Sequence, residues 1–258
     1  MKLGFSSLAL FMKPLKDILE IAIKDKFEII EILCEGPYLP RYILEHLEEL
    51  NLKEINEFIE LNNIEIFIHS PTIDLNPASM NIGIRQESEK QIKETLEFAH
   101  LINAKAVTTH PGIVHRREKR IRDIAIEYTI DTLKHCQDYA EKVGVNLSIE
   151  NMPKRFSYLA SCPQEHEKIV ANVGSSATID WGHVNTYKNP HDFLKVSNIL
   201  YFHLNDNSAI KDQHLSLGEG NADFSSEFLK QVKYGIIELN SYDNVLKSKE
   251  FINKQLQS

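Results

Sequence analysis

Between Tyr201 and Phe224 the chain reads YFHLNDN, a short spacer, then DQHLSLGEGNADF, which places His203, Asp206, Asp212 and His214 within twelve residues. A short apolar run, Ile199–Phe202, precedes His203, and a loop containing Gly218 and Gly220 follows His214. Imidazoles and carboxylates at a strand end, with such a loop behind them, suit a cation better than an apolar core. Neutral imidazole nitrogen and carboxylate oxygen are the donors that zinc and manganese take. Groups of the same kind recur along the chain: Glu31 and Glu35, His69 in HSP, His110 in HPG, Glu150 before Asn151, Asp180 and His183 in DWGH, and Glu238. Taken singly, each has an ordinary explanation. A lone strand-end histidine is usually a hydrogen-bonded structural group, and a lone buried glutamate usually has an ion-pair partner. Their repetition at equivalent places is what points to a divalent metal.

Those places are set by an alternation of short apolar runs with longer amphipathic ones. Strands are expected at Lys2–Ser6, Phe27–Leu33, Ile64–His69, Lys105–His110, Val145–Glu150, Ser176–Asp180, Ile199–His203 and Ile236–Leu239. Helices are expected at Leu15–Lys26, Pro40–Asn62, Arg85–Asn103, Glu118–Val143, Pro163–Asn172, Pro190–Val196, Phe224–Val232 and Asn244–Gln255. Apolar residues on one helical face support the longer segments, as with Ile18, Leu19, Ala22 and Ile23. Pro111-Gly112 stops the fourth strand, and Gly144 marks the end of the longest helix. Continuous β/α alternation argues for a parallel sheet, and eight repeats in 258 residues argue for closure into a (β/α)8 TIM barrel. An open doubly wound sheet is the rival, but its first strand-to-helix turn would carry a glycine-rich phosphate loop, and here that turn reads SSLALFMKP. With no Pro/Ser-rich linker or low-complexity segment, residues 1–258 read as one domain. In such a barrel the C-terminal strand ends converge on one mouth, so the candidate donors would meet there.

Composition narrows the function classes. The chain is 42% hydrophobic and 26% charged, ordinary for a globular protein. Its formal net charge of −8 supplies no overall basic field for nucleic acid, although bound cations would offset the carboxylates that hold them. Cys34, Cys136 and Cys162 are far apart with no CxxC pair, which reads as free thiols in a reducing compartment. No apolar run reaches the ~20 residues of a membrane span, and the interrupted N-terminal run lacks a small-residue cleavage site. A cytoplasmic protein is expected. His100, His115, His135, His166 and His191 fall in helices or loops and read as structural, and Cys34 and Trp181 as packing.

The segments IHSP, THPG, SIEN, IDWGH, FHLND, DQHLSLGEG and IIELN resemble the xylose-isomerase-like barrel superfamily, and within it the endonuclease IV family, over nearly the whole chain. That family holds three zinc ions with nine side chains. The resemblance implies that His69, His110, Glu150, Asp180, His183, His203, Asp212, His214 and Glu238 are metal ligands here. Sugar isomerases and epimerases of the superfamily need a single-metal set, resembling Glu150, Asp180, His203 and Glu238. The Asp212-x-His214 pair before the Gly-x-Gly loop looks like the endonuclease form. Two segments depart from it. CEGPYLPRYIL, after the second strand, lacks the polar and aromatic pattern that enters damaged DNA, and ENMPKRFSYL, after the fifth, lacks the Gly-Gln-Gly run.

The implied activity is hydrolysis of a DNA phosphodiester 5′ to an abasic site, leaving a 3′-hydroxyl. Glu150 would bridge metals, and Glu238 would act as ligand and base. Lys154 and Arg155 near the mouth would meet backbone phosphates. The second reading is a sugar or sugar-phosphate isomerase or epimerase, using one Mn2+ or Mg2+ with Glu150 and Glu238 as the proton-moving pair.

Overall fold

The computed structural model describes residues 1–257, with only the backbone at residues 48 and 49. Eight parallel strands close into a barrel in the order of the chain. They are β1 (Lys2–Ser6), β2 (Ile29–Leu33), β3 (Glu65–His69), β4 (Ala106–Thr109), β5 (Asn146–Glu150), β6 (Ser176–Asp180), β7 (Ile199–Leu204) and β8 (Tyr234–Ile237). Pairing of Lys2 with Tyr234 and of Leu3 with Gly235 closes the ring. The helices are α1 (Leu15–Lys24), α2 (Pro40–Glu45), α3 (Leu47–Leu50), α4 (Leu52–Asn62), α5 (Ile82–Leu101), α6 (Lys119–Val143), α7 (Pro163–Val173), α8 (Trp181–Asn185), α9 (Ser226–Leu229) and α10 (Tyr242–Gln257). Among these described helices none is long and apolar enough to cross a membrane.

Two apolar cores follow from the two-residue period of the strands. The larger lies between strands and helices and includes Phe5, Ile30, Ile32, Ile66, Ile68, Val107, Leu147 and Ile149. The smaller fills the barrel floor with Ile29, Phe67, Ala106, Tyr201 and Ile236. Gly4 makes room there, since a Cβ on it would sit 2.4 Å from Ile29 Cβ. Stepping two residues along four of these strands from the floor gives Glu31, His69, His203 and Glu238. The same period that seats apolar groups below therefore carries polar groups up to the mouth. Between them runs a layer of buried hydroxyls: Thr178 Oγ1 lies 2.6 Å from both Thr108 Oγ1 and Ser148 Oγ, and Thr108 also meets the Tyr201 hydroxyl.

The expected barrel is what forms, with local departures. The expected helix at 40–62 is broken twice. At His46 the ring turns back to the Tyr42 carbonyl, and at Asn51 the backbone is left-handed (φ 45°), a conformation asparagine tolerates. β8 ends at Ile237 because its register is set by pairing with β1, so Glu238 stands just beyond the strand. β4 likewise stops at Thr109, leaving His110 in the loop. The helix expected at 224–232 shrinks to Ser226–Leu229, capped by the Ser225 hydroxyl. Gly144 and Gly174 end α6 and α7 with φ of 74° and 81°.

Candidate metal centre

All nine histidines and carboxylates expected from the resemblance meet at the barrel mouth, where their donor atoms fall into three groups. These are His69, His110 and Glu150; Glu150, Asp180, His203 and Glu238; and His183, Asp212 and His214, with the donor atoms of each group within 4.8 Å of one another. Glu150 belongs to two groups and faces each with a different oxygen. Its Oε2 lies 3.2 Å from His69 Nε2 and 3.2 Å from His110 Nε2. Its Oε1 lies 3.2 Å from His203 Nδ1 and 3.5 Å from His183 Nδ1. In the third group Asp212 Oδ2 is 3.3 Å from His183 Nε2 and 3.2 Å from His214 Nε2.

Three observations fit this cluster to divalent cations. First, four ligands at ~2.1 Å around a tetrahedral ion stand ~3.4 Å apart edge to edge, close to these spacings. Second, the outward ring nitrogens are occupied by acceptors. His69 Nδ1 donates to the Ser70 carbonyl (2.8 Å), His183 Nδ1 to the Asn151 carbonyl (2.8 Å) and His214 Nδ1 to the Glu238 carbonyl (2.9 Å). His203 is reversed: its Nε2 donates to Glu31 Oε2 at 2.8 Å. A neutral ring so held turns its lone pair toward the group. Third, no lysine or arginine pairs with Glu150, Asp180, Asp212 or Glu238 among the described residues, and Asp212 Oδ1 is buried without a partner.

Without cations the same proximity is resolved with protons. Burial pulls the His69 imidazole down, but Glu150 outweighs it and raises the group to about 9. His214 is likewise driven down by burial and raised by Asp212 and Glu238, to about 10. His183 and His203 are raised well above the usual range against burial, chiefly by Asp180 and by Glu31 respectively. Glu150 is held well below the carboxylate range because His203, His110 and His69 overcome its burial. Asp180 goes up to about 7, through burial and the charges of Glu150, Glu238 and Asp212. His110 is pushed down by burial.

The local sequence explains the aim of each group. Asp180 ends β6 and caps α8, accepting from His183 N at 2.6 Å, which sets His183 one turn beyond it. Asn151 brackets Asp180 with two bonds, and Asn205 Nδ2 donates to Asp180 Oδ2 at 2.8 Å. Gly182 is required there, since a Cβ would lie 1.8 Å from Asn205 Oδ1. Asp206, grouped with the donors on spacing alone, does something else. Its carboxylate accepts from the amides of Asn207, Gly218, Gly220 and Ala222 at 2.8–3.0 Å. An antiparallel bridge between Asp206 and Leu215 then fixes the loop that carries Asp212 and His214. Glu31, singled out with the candidate donors, stands behind a donor rather than among them: fully buried, it accepts from His203 Nε2 and from the Tyr201 hydroxyl at 2.9 Å. Its signal was the strand period, which puts it directly above Ile29. Glu35 faces away and accepts from the amides of Thr72 and Ile73. His166 lies in the core against the Ile149 carbonyl (2.9 Å), and Trp181 stacks on Phe228 at 3.9 Å, both packing roles as expected.

A family model described as xylose isomerase-like TIM barrel matches residues 19–254. The chain belongs to that family. A Methanocaldococcus jannaschii protein, uncharacterized protein MJ1311, is 32% identical over 270 residues, spanning 100% of this chain and 90% of the relative. A solved structure described as a D-tagatose 3-epimerase-like protein is also 32% identical, with a TM-score of 0.86, covering 100% of this chain and 97% of that one. Endonuclease IV from Thermus thermophilus superposes with a TM-score of 0.78 at 18% identity, over 100% and 99% of the two chains. At that identity the likeness to endonuclease IV is one of fold. Within the xylose isomerase-like family, then, sugar epimerase and DNA endonuclease architectures both lie close to this chain.

Proposed function

We propose that the chain is a phosphodiester hydrolase that works with up to three divalent cations, zinc suiting its donors best, and that cuts DNA 5′ to abasic sites. The observation that carries this reading is the third donor group, His183, Asp212 and His214, together with the two-faced placement of Glu150. One cation needs neither. Closely spaced cations supply polarisation of the phosphate, an acidified water and stabilisation of the leaving alkoxide.

The chain's own residues have distinct tasks in this reading. Glu150 joins the His69–His110 side of the mouth to the Asp180–His203–Glu238 side. Asp212, held between two imidazoles, carries the third position, and Asp206 keeps its loop in place. Glu238 stands at the rim of the strand layer, 9% exposed with Oε2 3.6 Å from His203 Nδ1, where it would help to hold a cation and would take the proton of an incoming water. A cavity of about 260 Å³ beside His110, lined by Pro71, Leu75, Ile113, Met152 and Tyr158, offers an apolar seat for a sugar ring next to the scissile group.

A second reading has its own support. Glu150, Asp180, His203 and Glu238 by themselves can hold one cation, and the 32% identical structure is described as D-tagatose 3-epimerase-like. In that case Glu150 and Glu238 move the proton between the faces of a keto sugar. Incubating the zinc-loaded protein with duplex DNA carrying one abasic site, and separately with ketohexoses and manganese, distinguishes the two. Strand scission leaving a 3′-hydroxyl supports hydrolysis; C3 epimerisation with intact DNA overturns it.

A further inference from the structure

We propose that Tyr201 is a positioning residue for the cation ligand His203, acting through Glu31; this rests on Glu150, Asp180, His203 and Glu238 holding a cation, which both readings above share. His203 turns Nδ1 toward that group, 3.2 Å from Glu150 Oε1, and donates from Nε2 to Glu31 Oε2 at 2.8 Å. The Tyr201 hydroxyl donates to the same carboxylate oxygen at 2.9 Å. The other oxygen, Oε1, is buried without a partner among the described residues. Glu31 is therefore oriented through Oε2 alone, by one bond from the imidazole it serves and one from Tyr201. Without the hydroxyl, the remaining bond leaves carboxylate and imidazole free to turn together, and the Nδ1 lone pair loses its fixed aim.

The hydroxyl is itself aimed by a belt of buried hydroxyls. Tyr201 commits its only proton to Glu31, so its oxygen can only accept, and the neighbour that donates to it is Thr108. Thr108 has then committed its own proton and accepts from Thr178 at 2.6 Å, and Thr178 in turn accepts from Ser148 at 2.6 Å. The protons thus point one way, from Ser148 through Thr178, Thr108 and Tyr201 to Glu31, across β5, β6, β4, β7 and β2. All five side chains are fully buried.

Stability alone does not call for such a belt. Ile29, Phe67, Ala106 and Ile236 fill the same floor with apolar groups, and burying hydroxyls and a carboxylate among them incurs a desolvation cost that apolar side chains avoid. What a completed polar network adds is a single fixed arrangement. The arrangement fixed here ends on a cation ligand. The Tyr201 ring is placed by packing, its centroid 4.8 Å from that of Phe67 and 5.3 Å from that of His203. A phenylalanine at 201 therefore keeps the ring and removes only the last links of the belt.

The test is calorimetric titration of zinc into the chelator-treated full chain. Y201F should weaken one zinc-binding event, the same one that E31Q weakens, by about tenfold, the lower end of the range for a group behind a metal-bound imidazole. E31Q already lacks the carboxylate through which Tyr201 acts, so Y201F/E31Q should bind zinc no more weakly than E31Q, whereas independent effects would multiply. T178V is the structural comparison: like Y201F it removes two links of the belt, but it leaves the bond from Tyr201 to Glu31 in place. Both variants should lower the unfolding temperature of the cation-free protein, and only Y201F should lower zinc affinity. Unchanged affinity in Y201F, a double variant weaker than E31Q by the full Y201F factor, or equal weakening in T178V would each overturn the proposal. The number of zinc ions taken up by the unaltered chain tests the hydrolase reading separately. One zinc, weakened in Y201F, keeps the role of Tyr201 and removes the three-cation reading; three, with Y201F unchanged, removes the role of Tyr201 alone; no uptake removes both.

Discussion

Replacing Glu31 by glutamine isolates the contribution of a residue that touches none of the proposed cations. Glu31 is fully buried, receives the His203 Nε2 proton at 2.8 Å and the Tyr201 hydroxyl at 2.9 Å, and leaves Oε1 without a partner. A carboxylate behind an imidazole fixes the tautomer and makes the opposite nitrogen a stronger donor, and losing it typically costs about 10–100-fold in metal affinity. That corresponds to about 1.4–2.8 kcal/mol. Glutamine keeps the shape and one acceptor, so the packing of Phe67, Tyr201 and Ile236 below should survive. The loss should fall on the one position that includes His203. Isothermal titration of chelator-treated E31Q with zinc should show two binding events as in the unaltered protein and a third weakened by that factor. Three unchanged affinities would refute the role given to Glu31. Weakening of all three would mean that the substitution has disturbed the barrel as a whole.

Further outcomes follow from the same geometry. H214A removes one of the three donors of the third group and should abolish abasic-site cleavage, while leaving a cation at Glu150, Asp180, His203 and Glu238; retained cleavage would contradict the hydrolase reading. D206A strands the buried amide of Asn207, an unsatisfied donor costing about 1–3 kcal/mol, and frees the amides of Gly218, Gly220 and Ala222 that hold the loop, so it should lower the unfolding temperature and the affinity of the third position together. The pH response above neutrality should flatten with metal. His69 and His214 are raised to about 9 and 10, so the cation-free fold binds more protons than the unfolded chain above pH 6.5. The contribution of these two groups is then full below that pH and is lost as pH rises through 9–10. Zinc must displace those protons, so its stabilising effect should grow over the same range. Thermal unfolding with chelator and with zinc checks both slopes.

Much of this molecule can be read from its residues because strand period and strand ends do most of the positioning. Ile29 to Glu31, Phe67 to His69 and Tyr201 to His203 each step from floor to mouth, and that alternation is visible in the sequence. The closed order of eight strands followed from their number and the length of the chain. What was not visible depends on pairing across the barrel. Whether Glu31 faces a cation or a histidine depends on how β2 stands relative to β7, which no local pattern records. Asp206 looks like a donor by spacing, yet the amides of Gly218 and Gly220 take one of its oxygens and those of Asn207 and Ala222 the other. The turn of helix after Asp180 is too short for a periodic signal, although an aspartate three residues before His183 is the pattern of a helix cap.

The central claim is that these nine side chains hold three cations rather than one. Anomalous diffraction at the zinc edge, from crystals of the zinc-loaded protein, tests it directly. Three peaks are predicted: one between His69, His110 and Glu150, one among Glu150, Asp180, His203 and Glu238, and one between His183, Asp212 and His214. A single peak in the second position, with Asp212 and His214 bare, would contradict the account and favour the epimerase.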